Sequence, residues 1–422
     1  MSIVVLGLVA MAFYVFVTLY GGKVDVSGRV VVCIPVYGQS LALGEEAVRI
    51  TDFDSLGSMA GGRIVTENLD HRFGFFDLDS KKQLLKKLLR QKRRSFELSV
   101  YGMAEVLVNQ LGQDTLVCIF PGGQGTTCLA SLGSDSHAYK RFIDDIKHAC
   151  HYVQSHGGTF VVPAICWMQG ESDIADYPDS DYRQLFAKVI SDLNRDVMSI
   201  TQQADSVRVI CYQTNALSRG NRFNAHQYQC DEMEVPQTMV EMLRSNNLFW
   251  ASGPTYIYRF GREAIHIDGV GQKRLGYLEG LAALSILRDG KRFRGLIPLS
   301  VGADDSNNSV IVRMNVSCPP LQIDTLMVRK VNNFGFSVVN EQGMDLTREV
   351  SLSGDSVIIC CTDNPVGCKV RYAVNGEMEK SGNQRGPRGN LRDSQGDTRK
   401  VFVCGAEYPL HNWCYQFEEI IK

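Results

Sequence analysis

Five short apolar runs alternating with stretches of helical periodicity constrain this chain more than any other feature. The runs are Val30 to Ile34, Thr115 to Phe120, Thr159 to Cys166, Val207 to Gln213 and Leu248 to Ser252. The helical patterns are Phe96 to Gln110, Ala138 to His156, Tyr182 to Ile200, Val235 to Leu243 and Val270 to Leu287. A strand that is apolar along its whole length must be covered on both faces, which calls for a parallel sheet between helices, joined by right-handed crossovers. The expectation is an α/β domain over residues 23–290: a three-layer αβα, flavodoxin-like sheet of about five parallel strands.

From about Arg292 the texture changes. Short alternating runs (Ser309 to Val316, Leu321 to Val328, Phe334 to Val339, Val357 to Cys361, Lys369 to Val374, Lys400 to Cys404) are separated by Asn, Gly, Asp and Pro clusters, the pattern of an antiparallel β domain over residues 291–422. Such a module either binds polymer or shields one side of its neighbour, and shielding is the reading preferred. Gly389 to Asp393, GNLRD, reads as a loop of that domain.

At the other end, Ile3 to Tyr20 is an uncharged apolar run about long enough to span a hydrocarbon core. No Lys or Arg precedes it, and no small-x-small site follows before Gly21-Gly22. Residues 1–22 therefore read as an uncleaved membrane anchor, with the remainder facing outside the cytoplasm, rather than as a cleaved signal; a buried first element is the alternative. Lys23 and Arg29 against Asp25 leave the orientation open.

With 44% hydrophobic and 21% charged residues, the chain can bury a sizeable core. A formal charge of -2 excludes general electrostatic attraction to nucleic acid. One cationic cluster, Lys81 to Arg94, sets leucines on one helical face; it reads as a solvated helix packed by that face, with a membrane surface or polyanion as the alternative. Thirteen cysteines lack regular spacing, and Cys33, Cys118, Cys166 and Cys211 lie inside the apolar runs, where thiols pack as small hydrophobes. Cys360, Cys361 and Cys368 do not form a zinc pattern, and His148 and His151 lack an obvious third ligand, so neither a metal nor another cofactor is expected. Sequons stand at Asn307 and Asn315. Nothing in the sequence specifies an oligomer.

The chemistry gathers where the runs end. The first leads into Pro35 and then Tyr37-Gly38-Gln39-Ser40, the second into Pro121 to Thr127, and the third into Trp167-Met168-Gln169-Gly170-Glu171-Ser172-Asp173. In a parallel sheet these loops share the edge at the strands' carboxyl ends, where ligands bind. Ser40 is either a nucleophile there or the cap of a following helix. Ahead of the last helix, Glu263 and His266 lie three apart, so the carboxylate can accept Nδ1–H and leave Nε2 to remove the proton of Ser40. Asp268 suits an N-cap, with the triad acid as its other reading. Oxyanion donors would be the backbone N–H groups of Ser40 and of Gly125 or Gly123, with the side-chain amide of Gln169. Glu171 is either a general acid or, preferably, a support for the Gln169 loop. Trp167 lines the pocket or fills the core.

These blocks, in this order, resemble those of the SGNH hydrolases. Tyr37-Gly-Gln-Ser40-Leu, Gly125-Thr-Thr, Trp167-Met-Gln-Gly-Glu-Ser-Asp173 and Glu263-Ala-Ile-His266, with Gly271 beyond, are most similar to the branch of sialate O-acetylesterases and acetylxylan esterases. There the patterns are Gly-Gln-Ser-Asn, Gly-Gly-Thr-Ser, Trp-His-Gln-Gly-Glu-Ser-Asp and Asp-x-x-His. The resemblance covers roughly Val30 to Leu287 and implies a serine nucleophile, a histidine base, and glycine and glutamine oxyanion donors. Leu41 stands for the common Asn, Met168 for His and Glu263 for Asp. The function implied is hydrolysis of an O-acyl ester, acetyl first, on an O-acetylated glycan. A carbohydrate-binding or structural surface protein with a disabled site, and an O-acetyltransferase on the same residues, are the alternatives.

Overall fold

The computed structural model describes residues 24–67, 73–75, 96–176, 181–214, 233–261, 264–304, 307–377 and 380–422. The apolar segment 3–20, the cationic run Lys81 to Arg94 and Glu263 lie outside the described residues. Among the described residues, no helix is long and apolar enough to cross a membrane.

The α/β region runs β1 (Val30–Cys33), β2 (Val36–Gly38), α1 (Phe53–Ala60), β3 (Ile64–Glu67), β4 (Phe73–Phe75), α2 (Ser99–Gln110), β5 (Thr115–Cys118), β6 (Pro121–Gly123), α3 (His137–Ser155), β7 (Thr159–Val161), β8 (Ala164–Met168), α4 (Glu171–Asp176), α5 (Tyr182–Thr201), β9 (Arg208–Gln213), α6 (Glu234–Ser245), β10 (Phe249–Pro254) and α7 (Gly269–Arg288). Three of the expected strands are each broken in two. β1 and β2, β5 and β6, β7 and β8 are successive halves, interrupted at Pro35, just ahead of Pro121 and at Pro163. Proline has no N–H to give to a ladder, so a proline inside a central strand divides it. The chain nevertheless bridges the breaks: Ile34 N donates to Cys118 O at 3.0 Å, Val36 N to Phe120 O at 3.0 Å and Cys166 N to Pro35 O at 2.9 Å.

Joined end to end, the parallel strands lie in the order β3, β5/β6, β1/β2, β7/β8, β9, β10, with β4 antiparallel on β3 at the edge. This is the expected parallel sheet with one strand more. β3 was not anticipated, because Ile-Val-Thr-Glu is short and sits in a stretch rich in turn residues; its pairing of Ile64 with Val117 supplies what its own sequence does not. Along β8 every side chain is buried. The Trp167 ring packs 5.0 Å from that of Phe186 on α5, while Cys166 Sγ lies 3.8 Å from Met103 Sδ on α2, so alternate residues meet helices on opposite faces.

The C-terminal region carries β11 (Pro298–Asp304), β12 (Ser309–Met314), β13 (Gln322–Ile323), β14 (Phe336–Val339), β15 (Thr347–Ser353), β16 (Ser356–Cys361), β17 (Lys369–Tyr372), β18 (Leu391–Arg392), β19 (Lys400–Val403), β20 (Ala406–Pro409) and β21 (Phe417–Ile420). Every ladder among them is antiparallel. The GNLRD stretch corrects the expectation of a plain loop: Leu391 and Arg392 pair with Ile323 and Gln322, and buried Asn390 holds the carbonyls of Asp324 and Val328. One buried apolar cluster continues from Val31 in the sheet to Phe417 in the β region. Across their boundary Tyr415 OH accepts from Gly253 N at 2.7 Å and donates to Cys211 O, and the Gln213 side chain bonds both N and O of Gln416.

Candidate active site

Ser40 leaves the end of β2 in a position fixed by its neighbours. A Cβ on Gly38 would lie 1.9 Å from Met168 O, so a bare glycine lets β2 press against β8, and Gln39 N then donates to Met168 O at 2.9 Å. The chain next coils tightly, with Leu43 N and Glu45 N both donating to Ser40 O and Ala47 N to Gly44 O. No helix follows directly, since α1 begins only at Phe53, so the reading of Ser40 as a helix cap is corrected. Buried Gln39 turns its Oε1 to the N–H groups of Gly170 and Ser172, tying this coil to the loop after β8.

His266 lies between β10 and α7. Gly261 N donates to His266 O at 2.8 Å and Asp268 N to Arg259 O at 3.0 Å, closing a narrow loop. The His266 Nε2 stands 2.8 Å from Ser40 Oγ, and the two residues are 7% and 3% exposed. On the other side of the ring, Nδ1 is 3.1 Å from Glu46 Oε2. That carboxylate is at ion-pair distance but out of line for a formed hydrogen bond. Asp268 is the N-cap of α7, its Oδ1 accepting from Gly271 N at 2.7 Å, and burial raises its carboxyl above the usual range. The outer flank of the loop is held from the β region: Ser381 Oγ donates to Ala264 O at 2.6 Å and Asn383 N to Tyr258 O at 3.0 Å, while Ala264 itself takes φ of 55°.

The loop after β6 reaches the same place. Gly123, at φ of 122°, has its Cα against Gly38 O, where a Cβ would come within 1.8 Å. Neither Ser40 N nor Gly125 N has a hydrogen-bond partner among the described residues. A Cβ on Gly125 would lie 2.5 Å from Glu45 Oε1, so the side chain of Glu45 also borders this loop. Gln169 is fully buried; its Nε2 donates to Thr127 O at 3.4 Å and to the Asp173 carboxylate, and its Oε1 accepts from Tyr182 OH at 3.1 Å. In this arrangement its amide joins the Gly125 loop to the Asp173 turn. Asp173 continues the link by accepting from Leu129 N at 2.9 Å.

Glu171 is buried with both oxygens accepting from Tyr212 OH, at 2.6 and 2.7 Å. Burial pushes its carboxyl up, while bonds from Tyr212 and Thr214 pull the other way. Trp167 has no exposure and packs between Tyr37 and Phe186, so of its two readings the structure selects core filler. His148 and His151 are exposed on α3, and no group of side chains suited to a metal ion occurs among the described residues. Cys33, Cys118, Cys166 and Cys211 are buried free thiols, as expected, and Cys360, Cys361 and Cys368 are also unbridged. The roles of Glu46, Asp173 and Ser381 were not anticipated. Only Asp173 left a signal, four residues beyond Gln169 at the start of α4.

Residues 94–277, which include Gln169 and His266 but not Ser40, match the family model described as SASA: carbohydrate esterase, sialic acid-specific acetylesterase. No curated protein matches the sequence. A carbohydrate acetylesterase from Xanthomonas citri, 14% identical, shares the fold with a TM-score of 0.55 over 93% of this chain and 80% of its own. A protein from Arabidopsis thaliana is 17% identical, with a TM-score of 0.45 over 61% of this chain and 98% of its own. NanS is 12% identical, with a TM-score of 0.43 over 63% and 99%. Over residues 94–277 the chain is thus similar to the carbohydrate esterase family named for sialic acid-specific acetylesterases, and this match together with the shared fold supports a carboxylic ester hydrolase.

Proposed function

We propose that the protein is a serine esterase that removes O-acyl groups, acetyl first among them, from a glycan. Ser40 Oγ attacks the ester carbonyl as His266 Nε2 takes its proton. The tetrahedral oxygen faces the N–H groups of Ser40 and Gly125, while Gln169, through Thr127 and Asp173, sets the spacing between the loops that carry them. His266 then passes the proton to the departing sugar oxygen. A water, deprotonated by the same nitrogen, attacks the acyl-enzyme and releases the carboxylic acid with free Ser40. The 2.8 Å contact between two nearly buried side chains 226 residues apart is the observation that carries this reading.

A fluorophosphonate probe tests it, together with acetate release from a panel of O-acetylated glycans. Wild-type protein is expected to be labelled and to release acetate; Ser40→Ala should lose labelling and at least about a thousandfold in turnover while remaining folded. Unlabelled, folded wild type would remove the nucleophile, and acetyl passed to a sugar acceptor instead of water would make the enzyme a transferase. Residues 1–22 serve in this proposal as a tether that keeps the esterase at a membrane facing outside the cytoplasm. Fractionation of the full chain and of residues 23–422 should place the first with membranes and free the second.

A further inference from the structure

We infer that Glu46, in the coil that follows the nucleophile, is the carboxylate that positions His266. This deepens the esterase reading and rests on it.

The other described acids beside the ring are committed elsewhere. Asp268 caps α7 through Gly271 N. Glu171 feels the charge of His266, but both its oxygens hold Tyr212 OH. Glu46 Oε2 faces Nδ1 at 3.1 Å, and no other described group bonds that nitrogen.

The backbone supports the assignment. Glu46 adopts φ of 64°, a left-handed conformation that a residue with a Cβ rarely takes. Two residues earlier Gly44 sits at φ of 67°, where glycine carries no penalty. A glutamate held where glycine would fit more easily is strain of the kind that accumulates at functional sites. The opposite wall is shaped to match: a Cβ on Gly261 would lie 3.0 Å from Glu46 Oε2, so its bare Cα leaves the carboxylate its place. From there Glu46 keeps Nε2 turned to Ser40 and opposes the positive charge that develops on the ring. Its bond to Nδ1 is out of line in the resting enzyme and tightens when substrate fills the site, as catalytic hydrogen bonds do. Half-exposure of the Glu46 side chain, 39%, screens the charge and limits the effect.

The test is acetate release by Glu46→Gln, Glu46→Asp, Glu46→Gly and Glu263→Gln, with melting temperatures for each. Glu46→Gln should lose about 10- to 100-fold in kcat at nearly constant KM, and Glu46→Asp should recover part of the loss. Glu46→Gly separates positioning from stability: relief of the left-handed strain should hold or raise the melting temperature while kcat still falls. The inference is overturned if Glu46→Gln keeps wild-type kcat, if kcat in the series merely follows stability, or if Glu263→Gln loses more than Glu46→Gln. Failure of the esterase reading looks different: the wild type would then neither take the fluorophosphonate nor release acetate.

Discussion

Asp268 caps α7, while the Glu46 carboxylate stands 3.1 Å from Nδ1 of the His266 ring. Asp268 stabilises the start of α7, so Asp268→Ala should lower stability by about 1 kcal/mol, the usual cost of losing an N-cap, with KM unchanged in acetate release. The spacing of residues in the chain made His266, Ser40 and this cap legible, because each follows from a local pattern: a residue just past an apolar run, or an acid directly before a helix. The same reasoning proposed Glu263, which lies outside the described residues, for the imidazole, since only neighbours in sequence are visible to it. Glu46 reaches the ring through a coil whose shape depends on Ser40 O accepting two N–H groups, and no spacing rule encodes that. Asp173 joins two loops in the same concealed way. Asp173→Ala should leave the Gln169 amide and Leu129 N without their acceptor, costing about 1–3 kcal/mol in thermal unfolding and slowing fluorophosphonate labelling.

At the level of elements, α7 joins the site to the core. Gly276 sits where a Cβ would approach within 1.9 Å of Ser99 O on α2, so the two helices cross backbone to backbone. Gly276→Ala should force them apart and destabilise by roughly 1–3 kcal/mol, read from chemical denaturation. The same helix buries Glu279, whose carboxyl is pushed up to about 8 by burial, with Ser99 offsetting a little. An acid raised in the folded state keeps its full stabilising share below its unfolded value near 4.5 and loses it as pH rises through the folded value near 8. Between those limits this one group should lower stability by up to about 1.4 kcal/mol per pH unit, and Glu279→Gln should flatten that slope in melts at pH 5 and pH 8. The five long helices and the broad strands were readable from period and run length, whereas α1 and α4 were not. β3, β15 and β21 were not, for each is short or half-exposed and takes its extended form from its partner strand.

Across the whole molecule, the α/β and β regions share an apolar core, and the β region bonds both to β9 and β10 and to the flank of the His266 loop. Tyr415 and Gln416 close over the ends of β9 and β10, while Ser381 and Asn383 hold the His266 loop. Composition and pattern marked the change of texture near Arg292 but carried no sign of this coupling, because the residues that make it are scattered among turns. Residues 23–290 expressed alone should therefore resist fluorophosphonate labelling even when soluble, whereas the full chain is labelled. The order of synthesis adds a consequence. The partners of Tyr415 and Gln416 leave the ribosome some two hundred residues ahead of them. Until those late residues arrive, Cys211 O and the Gln213 side chain lack these partners, and a growing polypeptide carries its whole parallel sheet without the contacts that tie β9 to the C-terminal strands.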